Sequence, residues 1–214
     1  MDEDFDYFLA KMGPPIEKRD APPSRIERYR GKLPDRLLDY WQESGWCGYG
    51  DGLFWTVDPH EYEPVLEAWI GDTPLMEQDA YHIIARSAFG KLYFWGEKTG
   101  YSLQLFAPGA YCFPAASRSI RNIDLEMQVF FGMQSRKAND YLQMFSATLK
   151  KLGPLKQDEL YGFVPALAFG GESSVDHLEK VKAVEHLVLL AQPAPLEIIA
   201  DHRIFEAANP GGVS

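Results

Sequence analysis

Cysteine and histidine are sparse in this sequence, and they form no metal-binding or redox pattern. The 214 residues include two cysteines, Cys47 and Cys112, and neither belongs to a CxxC motif. Two cysteines are too few for a disulfide framework, and the five histidines form neither HxxxH nor HExxH. Zinc sites need such local clusters of ligands. We therefore expect free thiols, no metal ion and no cofactor.

Features of secreted, membrane-spanning and nucleic-acid-binding proteins are missing as well. The chain opens with the acidic tetrapeptide Met1-Asp2-Glu3-Asp4 instead of the basic start of a signal peptide. No apolar run approaches the ~18 residues that a membrane span needs. Nucleic-acid binding draws most of its free energy from Lys and Arg, whereas this chain has 31 acidic and 21 basic residues. We expect a cytoplasmic protein with neither a membrane nor a nucleic acid as its partner.

Lys and Arg are entirely absent from residues 37–85, which hold ten acidic side chains. The net charge of this acidic segment is −10, equal to that of the whole chain. Like charges crowded together destabilise a compact state. The sequence therefore either uses the field to attract a basic partner or merely keeps a solvated face soluble, and charge alone leaves both interpretations open.

Four of the five tryptophans also lie in the acidic segment. Trp41 and Trp69 fall on the apolar faces of predicted helices, so we expect them in the core. Trp46, Tyr49 and Trp55 lie in or beside a glycine-rich loop and are expected to be more exposed, where Trp and Tyr are favoured interface anchors. With the acids they form the predicted partner-binding surface, which comprises Asp39, Glu43, Trp46, Tyr49, Asp51, Trp55, Asp58, Glu61, Glu63, Glu67 and Asp72.

Catalytic motifs are not visible in the chain. There is no GxSxG, no Walker lysine motif and no GxGxxG after a predicted strand. Carboxylates are so abundant in the acidic segment that pairs of them have no diagnostic value for acid–base catalysis. We predict a non-enzymatic protein without catalytic residues. A carboxylate-based enzyme acting on a small substrate or a sugar stays open as an alternative.

Hydrophobic periodicity predicts helices and one strand in the first eighty residues. One helix is expected over residues 4–12, and a second from Leu33-Pro34 to a C-terminal cap at Gly45. Residues 53–57 are β-branched and aromatic and predict a short strand. Asp58-Pro59-His60-Glu61 has the form of a capping box and predicts the start of a third helix.

The periodicity then changes to that of strands and afterwards returns to that of helices. Short connections predict an antiparallel meander with strands over residues 81–86, 91–95, 101–106 and 110–113. Later helices are expected over residues 122–133 and 139–152, and from a cap at 174–176 to about 190. The fold class is therefore predicted as α+β. It has a meander sheet with flanking helices in an N-terminal domain (residues 1–117) and a mostly helical C-terminal domain (residues 118–214).

Two parts of the sequence resemble known domains. Residues 33–45 (LPDRLLDYWQESG), followed by 52–55 (GLFW) and Asp58-Pro59, resemble the opening of the GAD-like domain, and residues 88–92 (AFGKL) resemble the start of its sheet. Residues 151–171 and 181–187 resemble the C-terminal module that often follows that domain. The pairing is similar to immunity proteins that protect bacteria from their own type VI secretion DNase effectors.

The resemblance implies a non-catalytic antitoxin that binds one cognate DNase toxin, and it offers no catalytic residues to transfer. A DNase must present a positive surface to phosphate, and an acidic inhibitor that occludes this surface would complement it. The Leu-Pro…Tyr-Trp…Gly opening is shared with the SUKH immunity superfamily, so a general SUKH-like interaction module is an alternative. A tRNA-associated module is another, and the excess of acids weighs against it.

Overall fold

An eight-stranded sheet forms the centre of the computed structural model, which describes residues 2–114, 122–193 and 195–199. The strand order is β1-β2-β3-β4-β5-β6-β7-β10, and a separate antiparallel hairpin consists of β8 and β9. The strands are β1 Ile16–Arg19, β2 Trp46–Tyr49, β3 Phe54–Thr56, β4 Tyr81–Ser87, β5 Lys91–Gly96, β6 Gly100–Phe106, β7 Tyr111–Pro114, β8 Glu159–Phe163, β9 Leu178–Lys182 and β10 Glu197–Ile198.

The predicted meander and the α+β class are confirmed. Strands β4 to β7 follow one another in the chain and pair antiparallel, as their short connections require. The turn between β4 and β5 uses Gly90 at φ +84°, a conformation that side chains rarely adopt. The last strand, β10, pairs with β7 in parallel.

Helices cover both faces of the sheet. The first begins at the Asp2 cap, which accepts a hydrogen bond from the Phe5 amide, and it ends at Gly13. In the part of the chain that the structure describes, no helix is long and apolar enough to cross a bilayer. The helices are α1 Glu3–Met12, α2 Pro23–Tyr29, α3 Asp35–Ser44, α4 Glu63–Ile70, α5 Leu75–Gln78, α6 Ile123–Met133, α7 Arg136–Asn139, α8 Phe145–Leu152 and α9 Ala183–Leu190.

Two hydrophobic clusters lie on opposite faces of the sheet. Side chains alternate along a strand, so on β5 Leu92 and Phe94 enter one cluster while Tyr93 and Trp95 enter the other. The first layer, on the side of Tyr93, contains α1, α2, α3 and α6. The second layer, on the side of Leu92, contains α4, α8, α9 and the β8–β9 hairpin.

Both clusters include residues from each side of the predicted boundary at 117/118. Phe131 of α6 packs in the first layer against the rings of α1, and Leu187 of α9 packs in the second layer with residues of α4. The Trp69 indole also donates to the Leu187 carbonyl at 2.9 Å. The boundary stays a prediction about how the sequence divides, but the two parts share their hydrophobic cores.

Three predicted elements were wrong in their limits or type. The third helix begins at Glu63 because the Asp58 carboxylate accepts from the His60 amide within a turn instead of capping a helix. Residues 178–182 form strand β9, paired with β8, and the helix starts only at Ala183. The helix expected over 139–152 is interrupted at residues 142–143, where both φ angles are positive, and α8 begins at Phe145.

Candidate functional site

Carboxylates of the acidic segment have basic partners that come from distant parts of the chain. Arg19 on β1 donates two hydrogen bonds to Glu61, at 2.6 and 2.8 Å. Two arginines of helix α2 form further ion pairs. Arg28 lies 2.8 Å from Glu63, and Arg25 lies 2.9 Å from Asp58. The long sequence without Lys or Arg is therefore not an uncompensated surface in the folded protein.

The remaining acids of the predicted surface differ in their pairing. Asp51 binds Arg136 of α7 at 2.7 Å, and Asp39 lies 3.9 Å from Arg36 within α3. Glu43 is exposed near the end of α3, where its carbonyl accepts from the Lys18 amine at 3.1 Å. Two further exposed acids, on or beside α4, have no ion-pair partner among the described residues, namely Glu67 and Asp72.

Asp58 does not lie on an accessible surface, although it was predicted to contact a partner. Its side chain is 2% exposed and lies between the Arg25 guanidinium and the His60 amide. Burial raises the pKa of Asp58, and these two contacts oppose that rise. The carboxylate stabilises the turn before α4 rather than facing solvent.

The expected exposure of Trp46, Tyr49 and Trp55 was wrong, because all three side chains are buried. The Arg19 guanidinium of β1 covers Trp46, 5.0 Å from the ring centroid. The Tyr49 ring packs on Phe8 of α1 at 4.8 Å. The Trp55 indole donates to the Gly52 carbonyl at 2.6 Å. These aromatic rings stabilise the fold and cannot anchor a partner in this conformation.

The eleven predicted residues do not form one continuous surface. Asp39 and Glu43 belong to α3 in the first layer, whereas Glu63 and Glu67 belong to α4 in the second. The structure does bring Asp58, Glu61 and Glu63 together with arginines of β1 and α2.

A cleft of about 480 Å³ lies between β1, the turn before α4 and the start of α9. Its lining mixes both signs of charge, including Arg19 with Glu61, and Lys182 with Asp158. The hydrogen bond from Lys182 lowers the pKa of Asp158, which is opposite to the shift that a general acid needs. Among the described residues no group of three or more potential ligands is placed to hold a metal ion.

Arg86 was missed by the sequence analysis although it is completely buried. Its guanidinium donates to the Tyr62 hydroxyl at 2.8 Å and to the carbonyls of Gln157 and Glu159 at 2.8 and 2.7 Å. It also lies 5.2 Å from the Trp55 ring centroid. A single arginine inside an otherwise apolar strand, between Ile83-Ile84-Ala85 and Ser87, was the available signal.

Exposed apolar side chains on α6 were also missed. Leu125, Val129 and Met133 point away from the core, whereas Met127 and Phe130 are buried against it. Their spacing of four residues places them on one stripe of the helix. The sequence signal was an apolar-rich helix whose apolar residues occupy more than one face.

Comparisons with known proteins agree with this architecture. Residues 3–108 match the model of the GAD-like domain, and residues 124–193 match that described as T6SS immunity protein Tdi1, C-terminal. The structure is similar to the crystal structure of Atu4351 from Agrobacterium tumefaciens, with a TM-score of 0.80, covering 92% of this chain and 93% of that one. The two sequences are 21% identical, so the likeness shows the fold alone. The search of curated proteins found no match. Two successive segments of the chain thus match the GAD-like domain and the C-terminal domain of the T6SS immunity protein Tdi1, as the resemblance implied.

Proposed function

We propose that this protein is the immunity protein of a type VI secretion DNase effector. It binds that toxin as a stoichiometric complex and occludes the toxin's basic DNA-binding or active-site surface. The observation that carries this proposal is the match of residues 124–193 to the Tdi1 C-terminal domain, behind a GAD-like domain. The encounter takes place in the cytoplasm, where a DNase would otherwise reach DNA.

Electrostatics support a basic partner even though many acids are paired. The chain keeps a net charge of −10, and such a field speeds the approach of a cationic surface. The pairs Arg19–Glu61 and Arg28–Glu63 have side chains about half exposed, and exposed pairs contribute only about 0–1 kcal/mol. These weak pairs leave the net negative field in place, and that field acts at a distance without requiring the toxin to dock on the paired acids.

The decisive measurement is inhibition of the nuclease encoded beside this protein. Purified protein is titrated into the toxin while plasmid cleavage is followed. We expect activity to fall linearly and to vanish at a 1:1 ratio, because a tight complex removes one toxin molecule per inhibitor. A nuclease from an unrelated family is the control and should stay active.

The same titration distinguishes binding from enzymatic inactivation. A protein that destroyed or modified the toxin would abolish nuclease activity at inhibitor-to-toxin ratios far below one. The loss of activity would also increase with incubation time. A stoichiometric inhibitor shows the same endpoint after minutes and after hours. If equimolar protein leaves the neighbouring nuclease fully active, the proposed function is wrong.

A further inference from the structure

Helix α6 exposes an apolar stripe where a helix covering a sheet ordinarily presents polar side chains. Leu125, Val129 and Met133 are 53%, 48% and 67% exposed. On the opposite side of the same helix, Met127, Phe130 and Phe131 are buried in the first cluster. The stripe therefore has no role in the packing of the described chain.

Helix α1 packs beside α6 and exposes one further aromatic ring, Tyr7. The Lys11 amine donates to the Gly132 carbonyl of α6, and it also lies 4.4 Å from the ring centroid of Tyr7. Tyr7 is 59% exposed. Tyr7, Leu125, Val129 and Met133 thus lie on adjoining helices, and we call these four residues the α1–α6 face.

Acidic side chains border the α1–α6 face. The first turns of α1 carry three exposed acids that have no ion-pair partner among the described residues, namely Glu3, Asp4 and Asp6. At the other end, Asp51 is held by Arg136, which follows α6 closely, and the adjacent Gly50 amide donates to the Met12 carbonyl at 2.6 Å. Acids at a helix N-terminus stabilise the helix dipole, but that effect does not account for the apolar residues beside them.

We propose that the α1–α6 face is where the cognate toxin docks. This inference rests on the proposed function and specifies its surface. The complementary patch on the toxin has an apolar centre surrounded by Lys and Arg, the arrangement that a DNA-binding surface can supply and that the acidic border favours. The face also joins both matched parts of the chain, since Tyr7 lies within residues 3–108, and Leu125, Val129 and Met133 lie within 124–193.

The test replaces two exposed apolar side chains and compares a matched pair elsewhere. The double variant Val129→Ser/Met133→Gln changes the α1–α6 face, and Phe169→Ser/Leu189→Gln changes two exposed apolar residues that lie outside it. Binding to a catalytically inactive form of the neighbouring nuclease is measured with both, and plasmid cleavage with the active form. We expect the face variant to raise Kd at least about 30-fold, mainly through faster dissociation.

The Kd of the control variant should stay within about 3-fold of that of the unchanged protein. Both variants should have the same Tm as the unchanged protein, because exposed positions contribute little to stability. If the unchanged protein inhibits the nuclease and the face variant binds as tightly as it does, the docking surface is wrong while the proposed function stands. If the unchanged protein does not inhibit at all, the proposed function is wrong.

Sedimentation of the protein alone gives a further check. A dimer that only the face variant abolishes, with toxin binding unchanged, would assign the face to a second copy and overturn the proposal.

Discussion

Arg86 carries a charge into the interior without a carboxylate partner among the described residues. Its donors are satisfied instead by the Tyr62 hydroxyl and by three backbone carbonyls, those of Gln157 and Glu159 and, at 3.4 Å, that of Ser87. Neutral acceptors compensate a buried charge only as a complete set. The geometry therefore makes each of these contacts important for stability.

Replacement of Arg86 by Met should destabilise the protein by about 3 kcal/mol, because the buried Tyr62 hydroxyl and the carbonyls around it lose their charged donor while the volume is largely kept. Urea unfolding measures the change. Arg30→Met is the matched control, since Arg30 is about half exposed and pairs only with nearby acids, and it should leave the urea midpoint almost unchanged. A loss below about 1 kcal/mol for Arg86→Met would show that water satisfies the carbonyls.

Lys91 is a second cation that is partly buried. Burial lowers the pKa of Lys91 to about 8, and its amine lies 5.0 Å from the Tyr93 ring centroid. Below pH 8 the folded and unfolded chains both hold the proton, so folding includes the full cost of burying the charge. Between pH 8 and the ordinary value of 10.5, only the unfolded chain holds it, and the stability of the folded state rises with pH.

The variant Lys91→Met should therefore be more stable than the unchanged protein at pH 7, by about 1–2 kcal/mol. The difference should shrink as the pH is raised towards 10. Urea unfolding at pH 7 and at pH 9.5 tests both statements. Lys98→Met, at an exposed position, is the matched control and is measured at the same two pH values. If Lys91→Met raised the free energy of unfolding equally at both pH values, the stabilisation would not come from removing a buried charge.

At the scale of elements, the sequence predicted those whose signals are local. The α1 and α3 helices follow from apolar spacing and from the glycines that end them, and the meander follows from short turns. Strands β1 and β2 were missed because Ile16-Glu17-Lys18-Arg19 and Trp46-Cys47-Gly48-Tyr49 lack the alternation of a half-buried strand. Residues 178–182 carry charges that a helix tolerates equally well, and only their pairing with β8 makes them a strand.

The candidate site was harder to predict because its chemistry depends on contacts between distant segments. Sequence composition located the acids correctly, but their cations come from β1, α2 and α7, which lie outside the acidic segment. Trp46 and Trp55 were misjudged for the same reason, since Arg19 and Arg86 approach them from strands that the local pattern does not connect to them. The apolar stripe of α6 could be found only once its buried face was known.

At the scale of the whole molecule, the two parts of the chain should unfold together. Met127 and Phe131 of α6 complete the first cluster, and Leu187 of α9 completes the second. Neither the first 114 residues nor the remainder therefore has a complete core. We expect a single transition in scanning calorimetry, with equal calorimetric and van't Hoff enthalpies. Two separate transitions would show that the parts are stable independently. A fragment that ends at residue 114 should fail to unfold cooperatively.

The position of Arg86 also bears on how such two-part proteins can evolve. Its acceptors at Gln157 and Glu159 are backbone carbonyls, so their chemistry survives almost any substitution at those positions. What cannot change freely is the path of the loop that presents them. Surface residues can therefore diversify in both parts while the junction stays constant. An exchange of the C-terminal part by recombination would succeed only if the incoming loop brought its carbonyls to the same place above β4.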